Sequence, residues 1–216
     1  TIKKIIDNKR LISAKTSMAY QQDFRRLGMT LNDKLSYDEW VEVYKKLVFW
    51  ELELEKLDDP QMHEILTMQK AEANMQFSKF IEDNYLGWVN GKGTAPLLSN
   101  NLLKKKVFPL INSTTPVFFI LIDNLRYDQW KIINPLITEY FRLEEEDTYS
   151  SILPTATQYA RNSIFSGLMP YEMEKKFPSM WQNDDEEGGK NMHEEAFLAE
   201  QIKRSLRKDC KFSYHK

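Results

Sequence analysis

The aspartate at position 123 directly follows an unbroken apolar run, residues 117–122. Such a run is typical of a strand that is buried on both faces of a parallel sheet. Open α/β sheets bind their ligands at the carboxyl ends of their strands, and carboxylate oxygens suit zinc, manganese or magnesium. Asp123 is therefore a candidate metal ligand. The alternative is an aspartate that caps the turn after the strand.

Two threonines, Thr155 and Thr157, follow Pro154 at the predicted start of a helix. Free N–H groups and the positive end of the helix dipole favour an anion there. The same field promotes ionisation of a hydroxyl that also binds a metal, which makes Thr157 a candidate nucleophile and metal ligand. A plain N-cap is the alternative. Arg161, one turn later on the same face, could neutralise a bound phosphate or pair with a carboxylate.

The segment after Asp123 is more polar than a plain turn, because it contains Asn124, Arg126 and Asp128. Asp128 is predicted to be the N-cap of the following helix. Arg126 could be the ion-pair partner of Asp128 or a ligand of a phosphate group.

The second half of the chain alternates between strand and helix patterns. Strands are predicted at 117–122, 141–149 and 210–214, and helices at 128–140, 157–166 and 194–207. This order implies right-handed βαβ units and a mainly parallel sheet. Pro135 is expected to break the first of these helices, and Gly167 lies where a C-cap glycine is expected.

Residues 1–90 have a helical composition, rich in Lys, Glu, Leu and Met. A helix is predicted at 13–29, Ser36 begins a capping box for the next, and Asp59 with Pro60 supplies an N-cap and an N1 proline for a third. The predicted fold class is α plus α/β, a helical bundle followed by a partial α/β domain. The predicted domains are the bundle at 1–90, a linker and connecting helix at 91–114, and the α/β part at 115–216.

The composition limits the classes of function. A net charge of −2 and a pI near 6.0 do not suit a general nucleic-acid-binding surface. The single cysteine, Cys210, rules out an internal disulfide and favours a cytoplasmic location. No apolar run approaches the roughly 18 residues of a membrane span.

The remaining polar candidates carry weaker signals. The histidines at 63, 193 and 215 lack metal-ligand spacing to one another or to the cysteine. His193, Glu194 and Glu195 are predicted to begin a solvated helix, and the acids at 184–187 are predicted to form an acidic insertion.

Three motifs resemble the N-terminal half of a PglZ domain, which belongs to the alkaline phosphatase superfamily. They are Asp-Asn-Leu-Arg-Tyr-Asp at 123–128, Pro-Thr-Ala-Thr-Gln-Tyr-Ala-Arg at 154–161 and Ile-Phe-Ser-Gly at 164–167. The preceding helical part is similar to the segment that joins a receiver domain to PglZ in PorX-type response regulators, which serve type IX secretion in Bacteroidetes.

This resemblance implies a two-zinc phosphodiesterase or phosphatase that acts on nucleotide or oligonucleotide phosphates. Asp123 takes the place of a metal ligand, and Thr157 takes the place of the nucleophile. Arg161 and Arg126 are the candidate substrate-binding residues. Further Asp and His ligands are expected after Lys216, and a receiver domain that accepts phosphate from a sensor histidine kinase is expected before Thr1. The chain is therefore expected to be a fragment whose zinc site is incomplete or absent.

A second hypothesis comes from a different class of function. The PglZ-like part could serve as a non-catalytic signalling module that dimerises or binds a partner, and the long helices suit both a spacer and an interaction surface. A homodimer is compatible with either hypothesis.

Overall fold

The structure of the protein is a computed structural model that describes residues 2–57, 59–112, 114–182, 189–206 and 210–216, with side chains from residue 11 onward. The chain forms two compact units. The helical unit comprises Thr1–Thr94 and Leu125–Glu144, and the mixed unit comprises Ala95–Asn124 and Glu145–Lys216. The domain boundaries expected from the sequence stay a prediction.

The helical unit contains the helices α1 (Ile2–Thr30), α2 (Tyr37–Leu54), α3 (Pro60–Val89) and α4 (Tyr127–Ile137). The predicted capping box is present, since the Ser36 N–H donates to Glu39 Oε2 at 2.8 Å and the Glu39 N–H donates to Ser36 Oγ at 3.4 Å. The Asp59 side chain caps α3 by accepting from the Met62 N–H at 3.2 Å. No described helix is long and apolar enough to cross a membrane.

The core of the helical unit forms where the apolar faces of α1, α2 and α3 meet. Tyr20 and Trp50 are buried there, with ring centroids 5.2 Å apart. The buried members of this core are Tyr20, Leu27, Leu31, Leu35, Trp40, Val43, Leu47, Trp50, Leu54, Leu66 and Ala73. The predicted N-terminal helical bundle is confirmed.

Helix α4 differs from the sequence expectation at both ends. Arg126 occupies the N-cap position and its N–H donates to Gln129 Oε1 at 3.0 Å, so the prediction of Asp128 as N-cap is wrong. Pro135 lies inside α4 and does not break it. The proline falls in the last turn, where the missing N–H removes a single hydrogen bond, and the helix ends at Ile137.

The mixed unit contains the helices α5 (Thr157–Ser166), α6 (Pro170–Lys176) and α7 (Glu194–Ser205). Short turns of 3₁₀ and π helix at Ser99–Asn101, Leu103–Val107 and Phe108–Leu110 take the place of the predicted connecting helix. The predicted helix 157–166 and the left-handed C-cap at Gly167 are confirmed.

Two apolar clusters hold the mixed unit together, and both include residues of α5 and α7. One contains Leu103, Phe108, Ile164 and Ile202, and the other contains Phe165, Leu168, Met173 and Phe197. Leu121 and Leu198 pack against both clusters. The packing of α5 on α7 is therefore the centre of this unit.

The predicted mainly parallel sheet is wrong. None of the described residues forms a strand, and an isolated parallel bridge among them joins Leu98 to Ser150. The predicted strands 117–122, 141–149 and 210–214 lie in non-helical backbone without ladder partners. Phe118 and Ile120 are 84% and 78% exposed, so the apolar run is not buried on both faces. A strand is stabilised by neighbouring strands, and an apolar run cannot specify those neighbours by itself.

Candidate functional site

Arg161 stands at the centre of a charged cluster in the mixed unit. It lies on α5, one turn after Thr157, the first residue of that helix. Its Nη1 atom is 3.3 Å from Asp123 Oδ2. Its Nε and Nη2 atoms donate to the two carboxylate oxygens of Glu194 at 2.7 and 2.8 Å. The structure thus brings the sequence-predicted Asp123 and Arg161 together.

Asp123 is placed by a turn that ends the apolar segment. Asn124 has a φ of 57°, which is in the left-handed region that asparagine tolerates better than most residues. The chain therefore turns immediately after Asp123, whose side chain is 46% exposed. Burial, followed by the negative charge of Asp123, raises the pKa of Tyr149. The Asp123 carboxylate is therefore partly accessible to solvent, and its charge affects the titration of Tyr149.

Thr157 is the exposed first residue of α5. The N-cap position belongs to Ala156, which makes no side-chain cap hydrogen bond. Neither Thr155 nor Thr157 therefore occupies the N-cap position, which was the alternative to a functional threonine. The Thr157 carbonyl accepts from Asn191 Nδ2 at 3.4 Å. The hydroxyl of Thr157 thus belongs to the helix end that favours an anion.

Glu194 is the functional candidate that sequence reasoning missed. It begins α7 and is only 1% exposed, so the prediction of a solvated helix start is wrong at this residue. Besides the two bonds from Arg161, it accepts from the Tyr214 hydroxyl at 2.5 Å, and Lys216 Nζ lies 3.7 Å from it. Its periodic spacing with the buried Phe197 and Gln201 was the signal that could have identified it.

The electrostatics of the cluster follow from these contacts. Burial acts to lower the pKa of the Arg161 guanidinium, but the hydrogen bonds and charges of Glu194 and then Asp123 outweigh it, so the pKa is raised. Burial, with the hydrogen bond to Glu194 as the second cause, raises the pKa of Tyr214 to about 12. Arg161 is therefore positively charged and Tyr214 keeps its proton throughout the physiological pH range.

The frame behind the cluster is the close packing of α5 on α7. Gln201 is buried, and its amide nitrogen donates to the carbonyls of Ile164 and Phe165 at 3.1 and 2.8 Å. Arg204 donates to the carbonyl of Ser166. Gly167 has a φ of 66°, and a Cβ atom built on it would overlap the Gln201 side chain, so any other residue there is strained. This packing fixes Arg161 on one helix relative to Glu194 on the other.

The remaining sequence-predicted site residue, Arg126, belongs to the helical unit. Its Nε and Nη2 atoms donate to the two oxygens of Asp128 at 3.0 and 2.7 Å. The ion pair considered for these two residues is confirmed. The role of Arg126 as a phosphate ligand stays a prediction.

Whether this cluster can hold a zinc ion depends on how many ligand side chains it offers. Within the part of the chain that the structure describes, no three His, Cys, Asp or Glu residues lie together in a way that could hold a metal. Asp123 and Thr157 could supply two ligands, whereas zinc sites in proteins take three or four. Asp123 is also the partner of Arg161. The described residues therefore do not fit a complete zinc site.

Comparison with known families identifies both parts of the chain. The model of the PorX response regulator linker domain matches residues 10–89. The model of the BREX system PglZ alkaline phosphatase-like domain matches residues 102–216, which include Asp123, Thr157, Arg161 and Glu194. No curated protein matches the chain.

Proposed function

Because this chain belongs to the PglZ alkaline phosphatase-like family and also carries a PorX-type linker domain, we propose that it takes part in metal-dependent phosphoryl transfer. The substrate class is a nucleotide or oligonucleotide phosphate. The reaction is the hydrolysis of a phosphodiester or phosphomonoester.

The observation that carries this proposal is the position of Arg161. Its guanidinium lies next to Asp123 and one helical turn after Thr157. A phosphoryl group near Thr157 would meet the positive end of α5 and a permanent positive charge, and both stabilise an anion. In this proposal Thr157 is the nucleophile, Arg161 is the phosphate ligand and Asp123 is the carboxylate that would bind a metal ion.

Thr157 would attack phosphorus through its hydroxyl oxygen. A new oxygen–phosphorus bond forms as the bond from phosphorus to the leaving alcohol breaks, and the threonine proton leaves with that alcohol. Water then cleaves the phosphothreonine and restores the hydroxyl. Arg161 balances negative charge on the phosphoryl oxygens through both steps.

Zinc is the metal proposed for this site, with Asp123 as one ligand. Bound zinc would polarise the phosphoryl oxygens and promote ionisation of a coordinated hydroxyl. Because the described residues do not form a complete zinc site, the other ligands must come from outside them. In the full-length parent protein, Asp123→Asn should weaken zinc binding measured by titration calorimetry, and an unchanged isotherm would make Asp123 structural.

The regulatory part of the proposal follows from the PorX-type linker match at 10–89. We propose that the parent protein is a cytoplasmic response regulator that receives phosphate from a sensor histidine kinase and regulates type IX secretion. The helical unit would transmit that signal to the phosphatase-like domain.

A second candidate function is a signalling module that dimerises or binds a partner without catalysis. The observation that favours it is the apolar segment of the mixed unit, where Phe118, Ile120 and Ile122 are exposed. Sedimentation of the chain over a range of concentrations would test this candidate. A monomer at every concentration would remove the homodimer.

The test of the leading candidate is hydrolysis of a chromogenic phosphodiester with added zinc. It is measured for this chain and for a PorX-type protein that carries the same sequence. Thr157→Ala should abolish turnover with an unchanged circular dichroism spectrum, and Thr155→Ala, the matched control on the preceding turn, should be milder. Turnover at the level of the unsubstituted protein in Thr157→Ala would remove Thr157 as the nucleophile.

A further inference from the structure

The carboxylate of Glu194 is the most deeply buried charge among the described residues, with 1% of the residue exposed. A buried carboxylate is retained when its oxygens accept hydrogen bonds from charged or strong donors. Arg161 donates to the Glu194 carboxylate at 2.7 and 2.8 Å and Tyr214 donates at 2.5 Å, while Lys216 Nζ lies 3.7 Å away as an ion-pair partner. The site thus contains a second acid behind Arg161, on the other side of the guanidinium from Asp123.

The contacts divide the guanidinium of Arg161 into two edges. The Nε–Nη2 edge lies against Glu194 in a two-bond arrangement, and Nη1 faces Asp123 at 3.3 Å. A planar guanidinium that is fixed along one edge cannot turn, so the direction of the other edge is also fixed. Tyr214 in turn fixes the carboxylate, because its hydroxyl donates to Glu194 Oε2.

We propose that Glu194 is a positioning residue, which holds Arg161 by one edge so that the opposite edge is presented to a phosphoryl group beside Asp123 and Thr157. This inference rests on the proposed function, in which Arg161 binds phosphate. Glu194 does not touch the substrate. Its role is to fix the orientation of a flexible cation before the anion arrives, which removes the need to order that side chain during binding.

The matched variants are Glu194→Gln and Glu195→Gln. The two glutamates are neighbours in the first turn of α7 and lose the same charge, but Glu195 is exposed. Glutamine keeps the size of Glu194 but has one acceptor oxygen in place of two, so the pair of hydrogen bonds to Arg161 is lost.

Two measurements separate positioning from mere structural support. The first is the NMR signal of the Arg161 guanidinium, assigned through Arg161→Lys. Its rotation about the Nε–Cζ bond should be slow in the unsubstituted chain and in Glu195→Gln, and fast in Glu194→Gln.

The second measurement is a titration with inorganic phosphate well below the melting temperature. Phosphate binding should weaken about tenfold in Glu194→Gln, as expected when a binding group loses its orientation, and stay unchanged in Glu195→Gln.

The outcomes distinguish the two proposals. Unchanged guanidinium rotation and phosphate affinity in Glu194→Gln would overturn the positioning role. A second outcome is faster guanidinium rotation in Glu194→Gln together with unchanged phosphate binding in Arg161→Lys. Glu194 would then still hold Arg161 in place, but Arg161 would not be the phosphate ligand, and the proposed function would be wrong on this point. Should Glu194→Gln fail to fold, Tyr214→Phe gives the same test in milder form, because it removes one bond that fixes the carboxylate. Unchanged rotation and affinity in Tyr214→Phe would then overturn the role.

Discussion

The helical unit and the mixed unit bury their apolar residues in different ways. The helical unit buries long aromatic and aliphatic side chains between helices that satisfy their own backbone hydrogen bonds. In the mixed unit the apolar side chains between α5 and α7 are buried, but Phe118 and Ile120 are exposed on non-helical backbone. Local sequence signals can therefore specify the capped helices α2 and α3 of the first unit, whereas the non-helical segments of the second depend on contacts with distant residues.

A pair of tyrosines shows the same contrast on a smaller scale. Tyr20 is fully buried in the helical unit, and its hydroxyl has no hydrogen-bond partner among the described residues. Tyr214 in the mixed unit donates to the buried Glu194. The Tyr20 hydroxyl thus fills space in the helical core without a hydrogen bond, whereas the Tyr214 hydroxyl stabilises the negative charge of Glu194.

The largest expected effect is the loss of a core side chain from the helical unit. Leu54 is 0% exposed, and Leu54→Ala should lower the free energy of unfolding by about 2–5 kcal/mol, since it removes apolar burial and leaves a cavity. Urea denaturation followed by circular dichroism measures this. The control is Leu86→Ala on the exposed face of α3, for which we expect a change within about 0.5 kcal/mol. Equal effects would contradict the assignment of this core.

The next effect compares two glycines with nearly the same φ. Gly91 in the helical unit and Gly167 in the mixed unit have φ values of 67° and 66°. Nothing lies within 4 Å of a Cβ built on Gly91, whereas Gln201 blocks one on Gly167. Gly91→Ala should cost about 1 kcal/mol for the backbone alone. Gly167→Ala should cost about 2–3 kcal/mol, since the contact with α7 is also disturbed. Thermal unfolding of both variants measures the two losses of stability. Equal losses in the two variants would mean that Gln201 moves aside freely.

The tyrosine pair gives a smaller difference of opposite sign. Tyr214→Phe should destabilise the protein by about 1.5 kcal/mol, because it removes a hydrogen bond to a buried carboxylate. Tyr20→Phe should be neutral or slightly stabilising, because it removes a buried hydroxyl without a partner. Chemical denaturation of the two variants at neutral pH measures both. Destabilisation by Tyr20→Phe would show that its hydroxyl is bonded in solution.

The same tyrosines predict a loss of stability at alkaline pH. Burial raises the pKa of Tyr20 to about 12, and burial together with Glu194 raises that of Tyr214 to about 12. The unfolded tyrosine titrates near pH 10, so the folded state holds more protons between pH 10 and 12. The contribution to stability is complete below pH 10 and disappears as the pH rises through 12. Melting temperatures across this range should fall less steeply in Tyr20→Phe, and an unchanged slope would contradict the shift.

The smallest expected effect tests the exposed apolar segment. Ile120→Thr keeps a branched side chain on a residue that is 78% exposed, so the free energy of unfolding should change by no more than about 0.5 kcal/mol. Ile164→Thr, the control on the buried side of α5, should destabilise strongly through an unpaired buried hydroxyl. Denaturation of dilute protein measures both. A large loss for Ile120→Thr would mean that the segment is covered in solution.

Three helix ends could be predicted because their signals are local. Ser36, Asp59 and Gly167 act within one turn of the residues that they cap. The strands predicted at 117–122 and 210–214 are wrong, because an apolar run by itself does not specify the distant segments with which a strand must pair. Pro135 shows a further limit, since its effect depends on how many turns follow it.

The candidate site was predictable in part for the same reason. Asp123, Thr157 and Arg161 stand in short motifs at the ends of apolar patterns. Glu194 was missed because it resembles any acid in the first turn of a helix, and its burial depends on Arg161 and Tyr214. The only local signal of its burial is its helical spacing with the buried Phe197 and Gln201.

The ion pair of Arg161 and Glu194 also has a consequence for synthesis on the ribosome. The two residues are 33 positions apart, so at about 5–20 residues per second translation needs roughly 2–7 seconds to pass from one to the other. During that interval α5 exists without α7, and Ile164 and Phe165 have not yet received Ile202 and Phe197 as neighbours. The nascent chain therefore passes through a stage at which this apolar surface is available to chaperones or to other nascent chains.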